Sequence, residues 1–172
     1  MAALISNIGG TIIMSLFLFQ SDVRKKAKKL LGLIKKKQFA LWQLLGGVAG
    51  AVYISTASST VSVIGTGLFT VVLVASQNVS GILVDKFGFS SGKRKKITSK
   101  RLFAMLIGTF AVILTVSEFE GEILWIPIIA VVFAGLAVTL QFTLNARVTK
   151  FSNSQVSAFI NFPMSMFFVF LL

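Results

Sequence analysis

The fold is decided by residues 42–89, which read WQLLGGVAGAVYISTASSTVSVIGTGLFTVVLVASQNVSGILVDKFGF. No charged residue stands between Gln38 and Asp85. The turn Gly65-Thr66-Gly67 divides the stretch into two arms, each about as long as the roughly 20 helical residues that cross a hydrocarbon core. The pattern predicts a transmembrane helical hairpin whose small and polar side chains face protein rather than lipid.

The composition of the whole chain excludes most classes of soluble protein. Hydrophobic residues make up 55% of the 172 residues and charged residues only 13%, too few for the surface of a soluble domain. The chain has no cysteine and no histidine, so it lacks thiolate nucleophiles and the commonest metal ligand. We therefore expect an all-α membrane protein, a multi-span transmembrane helical bundle, without cofactor or metal.

Apolar runs predict about six membrane spans, which we label A to F. Their approximate limits are 1–19 (A), 39–63 (B), 66–84 (C), 102–116 (D), 123–144 (E) and 154–172 (F).

The basic residues predict the orientation of these spans in the cell membrane. The connections after spans A, C and E hold eight, seven and two of the 17 Lys and Arg residues, and those after B and D hold none. By the positive-inside rule the basic connections, including Lys93, are cytoplasmic. The N-terminus of the chain, the Gly65 turn and the glutamates Glu118, Glu120 and Glu122 are then outside.

The connection between spans A and B carries one apolar helical stripe surrounded by lysines. The stripe consists of Val23, Ala27, Leu30, Leu31 and Ile34. Such a helix suits an anionic leaflet, so the region from Lys25 to Lys37 is a candidate for binding anionic lipid headgroups. A solvated linker is the alternative. Nucleic acid is not an expected partner, because the basic blocks flank spans and lack interleaved aromatic residues.

Span F resembles span A in sequence. Residues 3–6 (ALIS) can be aligned with residues 158–161 (AFIN). Five crossings separate the two spans, so they run in opposite directions, as inverted repeats of secondary transporters do. We expect residues 1–122 to hold spans two to five of a five-span unit, and residues 123–172 to hold the first two spans of a second, inverted and truncated unit.

Three motifs occur along the chain. Residues 42–51, WQLLGGVAGA, fit the pattern W-x-x-x-G-G-x-x-G-A. Ser76-Gln77, followed by DKFG at 85–88, fits G-Q…D-x-F-G with serine in place of the first glycine, and LQFTLNAR at 140–147 fits L-Q-x-x-x-N-x-R. In these motifs, and over nearly its whole length, the chain resembles the YdcZ-like (EamA-like) branch of the drug/metabolite transporter superfamily.

The resemblance implies a helical transporter of five-span units, either paired as homo- or heterodimers or fused into ten spans. Spans that would complete both units are absent from the sequence, so the chain is expected to be a fragment of a ten-span fused form. Pro163 in span F departs from the family pattern. The implied function is secondary transport of small organic metabolites or drugs, with a proton as the candidate coupling ion.

Polar residues inside spans are the candidates for contact with a solute. Gln77 and Asn78 lie near the middle of span C, where amides need a cavity or a neighbouring helix as partner. Hydroxyl groups crowd the outer half of span B. The candidates there are Tyr53, Ser55, Thr56, Ser58, Ser59 and Thr60. The alternative is structural, with amides that join helices and hydroxyls that bond to their own helix carbonyls. If the chain transports a solute, Gln77 and the hydroxyls should line one polar, uncharged cavity.

Three further sets of residues complete the candidate site. Gln141 and Asn145 share one face of span E and, with Trp42, are further candidates for solute contact. Asp85 is expected to form a helix-end ion pair with Lys86; carrying a coupling proton is the alternative. The glycines Gly46, Gly47 and Gly50 are predicted to pack against another helix.

Two classes of function fit these features. One is a secondary transporter of small organic solutes, or a fragment of one. The other is a non-transporting accessory or assembly subunit of the membrane. An enzyme is not expected, because the chain has no histidine, no cysteine and no carboxylate pair inside a span.

Overall fold

The computed structural model describes residues 2–89, 96–117 and 124–171. Within these ranges the chain forms helices and no strand. The α-helices are α1 (Ala2–Phe17), α2 (Ser21–Lys35), α3 (Gly46–Lys86), α4 (Ser99–Ser117), α5 (Trp125–Phe151) and α6 (Ser154–Leu171), with a 3₁₀ helix at Leu41–Leu44 before α3. The predicted all-α membrane class is confirmed, since Leu41–Lys86, α4, α5 and α6 are each long and apolar enough to cross a membrane. Lys93 and the three glutamates lie outside the described residues.

Helix α3 is too long for a single crossing and is divided at Gly65. Its 41 residues correspond to about 60 Å of helix, twice the thickness of a hydrocarbon core. Gly65 has φ 76° and ψ 158°, a backbone conformation that glycine adopts without steric cost. The break leaves two arms, 46–64 (α3a) and 66–86 (α3b). It is a single residue, so the predicted turn is too long: Thr66 and Gly67 are already helical.

The two arms of α3 share one apolar cluster. Ile64 belongs to it together with buried residues of α3b and α5, which are Leu68, Phe69, Val72, Leu73, Val131 and Ala134. Tyr53 of α3a packs against this cluster, although a straight helix would place it about 16 Å from Ile64 and further still from α3b. The arms therefore fold back on each other, as the predicted hairpin requires.

The DKFG sequence is the signal that ends α3b. The N–H of Phe89 donates to the carbonyl of Val84 at 3.0 Å, and the N–H of Gly88 donates to that of Asp85 at 3.2 Å. With Gly88 at φ 74°, this is a Schellman motif, which satisfies carbonyls that the last helical turn would leave free.

Helix α5 is longer than span E. It runs from Trp125 to Phe151, so Arg147 and Lys150 lie in its last turns instead of in the predicted connection. Basic side chains there complement the negative end of the helix dipole. Helix α6 begins at Ser154, as predicted, because the Oδ1 of Asn153 caps its first turn by accepting from the N–H of Val156 at 2.9 Å.

The apolar stripe of α2 is covered by the protein itself. Val23 and Leu30 are 2% exposed and join one cluster with Phe39, Val148 and Val156. Leu31 alone of the stripe is clearly exposed, at 58%. The expectation that the whole stripe lies on a lipid leaflet is therefore wrong, because these side chains find apolar partners within the chain. The lysines around the stripe remain available at the surface.

The chain divides into two compact units. Unit 1 contains the residues up to Ala51 and those from Leu140 onward, and unit 2 is Val52–Thr139. This division follows contacts within the chain. The boundary at residue 122 came from the sequence repeat and stays a prediction.

Candidate functional site

In unit 2, the mid-span amides lie where α3b and α4 pack as antiparallel neighbours. Asp85 near the end of α3b pairs with Arg101 at the start of α4. Earlier in α3b, Asn78 lies against Gly108, which comes later in α4 than Arg101. Because residue numbers rise along one helix as they fall along the other, the two helices run in opposite directions.

A polar cavity of about 130 Å³ lies between these two helices. It is lined by Gln77, Asn78, Gly81, Ile82, Arg101 and Ala104. The two amides can donate and accept hydrogen bonds, and the guanidinium can donate. Sequence reasoning proposed Gln77 and Asn78 but missed Arg101, which it assigned to the cytoplasmic basic block. An uncharged cavity was expected, but this one is lined by a charged residue, Arg101. None of its lining residues comes from the hydroxyl-rich run of α3a.

The carboxylate beside this cavity is paired across helices. Asp85 is 6% exposed, and its partner is Arg101 instead of the adjacent Lys86. The expected ion pair with Lys86 is thus replaced by one that ties α3b to α4. A buried carboxylate needs a positively charged partner, because removing a charged group from water costs roughly several kcal/mol. Arg101 also lines the polar cavity, and its side chain is 49% exposed.

On another side, α3b is held closely by α5. A Cβ on Gly135 would lie 2.5 Å from the Cβ of Ser76 and 3.0 Å from the carbonyl oxygen of Leu73. The hydroxyl of Thr139 donates to the carbonyl of Gly135 at 3.0 Å and approaches that of Gln77 at 3.4 Å. The backbone that carries Gln77 is thereby fixed. The Gly135-x-x-x-Thr139 spacing of small residues is the sequence signal that could have predicted this contact.

Three hydroxyls of the run in α3a are bonded to carbonyls of their own helix. Ser58 donates to the carbonyl of Ile54 at 2.9 Å, and Thr60 donates to that of Thr56 at 2.7 Å. Ser59 donates to the carbonyls of Ser55 and Thr56. Tyr53 packs in the apolar cluster. These contacts agree with the structural alternative, and no residue of the run lines the polar cavity at Gln77; the predicted shared cavity stays a prediction.

In unit 1, the two flanking sequence motifs meet each other. A Cβ on Gly46 would lie 2.5 Å from the Oδ1 of Asn145, and one on Gly50 would lie 2.6 Å from the Nε2 of Gln141. The guanidinium of Arg147 lies 5.4 Å from the centre of the Trp42 ring, a cation–π distance. The WxxxGGxxGA motif thus packs antiparallel against LQxxxNxR, and Gln141 and Asn145 are brought to the glycines.

A third helix packs against the same glycines. A Cβ on Gly47 would lie 2.5 Å from the carbonyl oxygen of Asn161 and 2.9 Å from the backbone nitrogen of Ser165, both in α6. Buried oxygens near this contact lack a hydrogen-bond partner in the structure. They are Gln43 Oε1, Asn161 Oδ1 and Ser165 Oγ. No sequence pattern marked these three residues as candidates.

Among residues 2–89, 96–117 and 124–171, no three His, Cys, Asp or Glu side chains gather in a group that could hold a metal ion. The chemistry offered by the polar cavity is hydrogen bonding by amides and by one guanidinium.

Comparison with known proteins gives one match. Residues 1–114 match the model of the family described as "Putative inner membrane exporter, YdcZ", which covers more than half of the chain. No curated protein and no solved structure matches the chain.

Proposed function

The chain belongs to the YdcZ family, and we propose that it acts as a secondary transporter of small organic solutes, or as part of one. Its place in the membrane follows from its apolar helices and its family, whose described role is export rather than catalysis. The substrate class and the transport mechanism are the proposal.

The observation that carries this proposal is the polar cavity at Gln77 and Asn78. Amides in the middle of a membrane-length helix cost free energy unless they are bonded, and such groups are functional candidates by default. Here both side chains line a cavity of about 130 Å³ together with Arg101. The cavity supports binding of a small solute through hydrogen bonds, from Gln77 near the middle of α3b toward the C-terminal end of that helix, where Arg101 lies.

We propose alternating access between inverted repeats as the mechanism. The two segments that the repeat relates, α1 and α6, pack against each other within unit 1. A Cβ on Gly10 of α1 would lie 2.5 Å from the ring of Phe162 in α6. Close packing of related helices supports the assignment of residues 1–122 and 123–172 to two units of a longer transporter.

A non-transporting accessory or assembly subunit is the alternative, and the surface of α4 leaves room for a partner subunit. None of its residues is buried. Its exposed large apolar side chains include Leu102, Phe103, Leu106, Ile107, Phe110, Ile113 and Leu114. Such a helix can contact lipid or another subunit. We therefore propose that the chain can pair as a homo- or heterodimer through α4.

We propose that the basic connections are cytoplasmic and that α2 binds anionic lipid headgroups. In support, a cavity of about 210 Å³ is lined by Ser21, Arg24, Lys25 and Lys28. Impermeant thiol labelling of Thr66→Cys and Thr98→Cys in intact cells tests the orientation, since the chain has no native cysteine. Labelling is expected at position 66 only, and labelling at 98 alone would reverse the topology.

Asp85 is proposed as the acceptor of a coupling proton. Protonation would remove its charge and weaken its ion pair with Arg101, which also lines the cavity. A proton could in this way alter the groups that a solute meets.

Solute flux tests the proposed function directly. Purified protein in proteoliposomes is assayed with a panel of radiolabelled neutral, cationic and anionic solutes, for the wild type and for Gln77→Ala. The matched control is Val74→Ala, on the same helix but 46% exposed and not lining the cavity. We expect Gln77→Ala to lower flux about tenfold at equal protein content, a loss of roughly 1.4 kcal/mol, and Val74→Ala to leave it unchanged. Absence of flux for every solute would favour the accessory role.

A further inference from the structure

A second cavity of unit 2 lies on the face of α3b that is turned away from the polar cavity. Its volume is about 400 Å³, within the range of pockets that hold ligands. Its lining residues on α3b recur at intervals of three and four from Val72 to Leu83, so they form one stripe of that helix. Gln77 and Gly81, which line the polar cavity, fall on the other side of the helix. The second cavity is thus a separate site, bounded by α3b, α4 and α5.

The walls of this second cavity are apolar in their chemistry. The described residues that line it include no charged side chain and no amide. The hydroxyls of Ser76 and Ser80 donate to carbonyls of α3b, and that of Thr109 donates to a carbonyl of α4. Since these hydroxyl protons are used within their own helices, the walls offer mainly methyl and methylene groups. An occupant without hydrogen-bonding groups suits them.

The cavity is closed at one end and open along its side. Val72 at the closed end is 3% exposed and belongs to the apolar cluster of unit 2, against which Val112 and Ile128 pack. Further along α3b, Val79 and Leu83 are 41% and 42% exposed. In a membrane-spanning helix such exposed apolar side chains face lipid, so the cavity opens to the bilayer.

The dimensions of the cavity match one hydrocarbon chain. From Val72 to Leu83 the helix rises about 16 Å, close to half of the roughly 30 Å hydrocarbon core and so to the thickness of one leaflet. A cavity of this volume and length is roughly 5–6 Å wide, about half the 10–12 Å diameter of an α-helix with its side chains. A helix of a second copy is therefore too wide for it, whereas an extended acyl chain fits.

A lysine stands beyond the open end of the cavity. Lys86 lies three positions after Leu83, on the same stripe of α3b, and is exposed. Asp85 lies on the other face of the helix, where it pairs with Arg101. The last turn of a spanning helix reaches the level of the lipid headgroups, where a lysine attracts anionic lipids. The charge at this end therefore complements a phosphate group.

We propose that unit 2 binds one anionic phospholipid, with an acyl chain in this cavity and its phosphate at Lys86. The lipid comes from the leaflet in which α3b ends. This site goes beyond the proposed transport function and does not depend on it. A small apolar solute without a headgroup is the competing occupant, and it would make no use of Lys86.

Native mass spectrometry of the purified protein tests the lipid site. The protein is offered dioleoylphosphatidylglycerol and dioleoylphosphatidylcholine at equal concentration, and the lipid that remains bound is identified from its mass. We expect a single phosphatidylglycerol to remain bound, about fivefold more tightly than phosphatidylcholine, as the attraction of one lysine implies.

Val79→Trp tests the acyl-chain cavity, because the indole would fill it. The matched control is Val74→Trp, which is 46% exposed on the opposite face of the same helix and lines neither cavity. We expect the bound lipid to be lost in Val79→Trp and kept in Val74→Trp. If Val79→Trp lowers the thermal midpoint of unfolding, Thr109→Phe provides the same test from α4.

Lys86→Gln tests the headgroup contact. It should weaken phosphatidylglycerol binding about fivefold and leave phosphatidylcholine binding unchanged. The control is Lys100→Gln, which removes an exposed lysine on the face of α4 opposite Thr109.

The outcomes separate the possible occupants. Equal lipid retention by the wild type and by the cavity-filling variants would show that lipid only surrounds the protein, and would overturn the site. Equal binding of both lipids with no effect of Lys86→Gln would overturn the anionic class and favour an apolar occupant. Lipid binding as expected, without flux of any solute, would leave this site standing and count against transport alone.

Discussion

An amide side chain lies on a helix glycine in both units, but the space around it differs. In unit 1, a Cβ on Gly46 or Gly50 would approach the amides of Asn145 or Gln141 to 2.5 or 2.6 Å, which is closer than real Cβ atoms come. In unit 2, a Cβ on Gly108 would lie 3.5 Å from the amide of Asn78, an ordinary contact. Two cavities, of about 130 and 400 Å³, adjoin that second contact.

The comparison shows that residue type alone does not separate packing from binding. Intramembrane amides and glycines are expected both where helices join and where solutes bind. The close approach in unit 1 is typical of packed helices, and contact of its amides with a solute stays a prediction. The looser contact in unit 2 leaves room, and only there do the amides line a cavity among those described.

The largest expected effect is that of Gly47→Ala in unit 1. The new methyl group would meet backbone atoms of α6, the carbonyl oxygen of Asn161 and the nitrogen of Ser165, which cannot rotate away. We expect a loss of about 1–3 kcal/mol, typical of overpacking, seen as a lower thermal midpoint in detergent. Gly9→Ala is the control, since a Cβ there meets nothing within 4 Å. Equal midpoints for the two variants would contradict the close contact.

Breaking the ion pair of unit 2 should have an unequal effect from its two sides. Arg101→Gln removes one partner of the carboxylate of Asp85, which is only 6% exposed, whereas Asp85→Asn leaves an arginine that is half exposed. Arg101→Gln should therefore cost more, roughly 1–2 kcal/mol after allowance for the exposure of Arg101. Thermal unfolding of both single variants and the double variant checks this order. A larger loss for Asp85→Asn would refute it.

A smaller effect is expected for Gly50→Ala in unit 1. Its methyl group would meet the side chain of Gln141, which is flexible and can move at a cost of about 1 kcal/mol. Adding Gln141→Ala should restore stability by removing the clashing atoms. Failure of that second change to restore the thermal midpoint would show that the strain lies in the backbone.

The smallest effect is expected for Gly108→Ala in unit 2. The methyl group has room, and alanine favours the helix over glycine by about 0.5–1 kcal/mol. We expect the thermal midpoint to stay level or rise. A fall comparable to that of Gly47→Ala would mean that the glycine contacts of the two units are equally tight.

Much of the fold could be predicted from the sequence, because long runs of apolar residues predict membrane-spanning helices. The hairpin of α3 and the start of α6 at Ser154 are examples. The extent of α5 could not be read in the same way. Span E was predicted to end at residue 144, before Arg147, yet α5 continues to Phe151, where basic residues suit the helix end.

The site was harder to predict, because it depends on which helices become neighbours. Gln77 and Asn78 were found from their depth in a span. Arg101 was not, since only the antiparallel packing of α3b and α4 brings it to them. The hydroxyl run allowed two interpretations. Bonds within the helix, such as that from Thr60 to Thr56, support the structural one, and a cavity beside the run stays a prediction.

The one-residue break at Gly65 has a consequence for how the protein enters the membrane. No charged residue stands between Gln38 and Asp85, so nothing costly has to pass the bilayer when the turn crosses it. Because one glycine joins the arms, neither arm can be released to the lipid far from the other. We therefore expect the hairpin to insert as a pair during synthesis, with its second arm guided by its first.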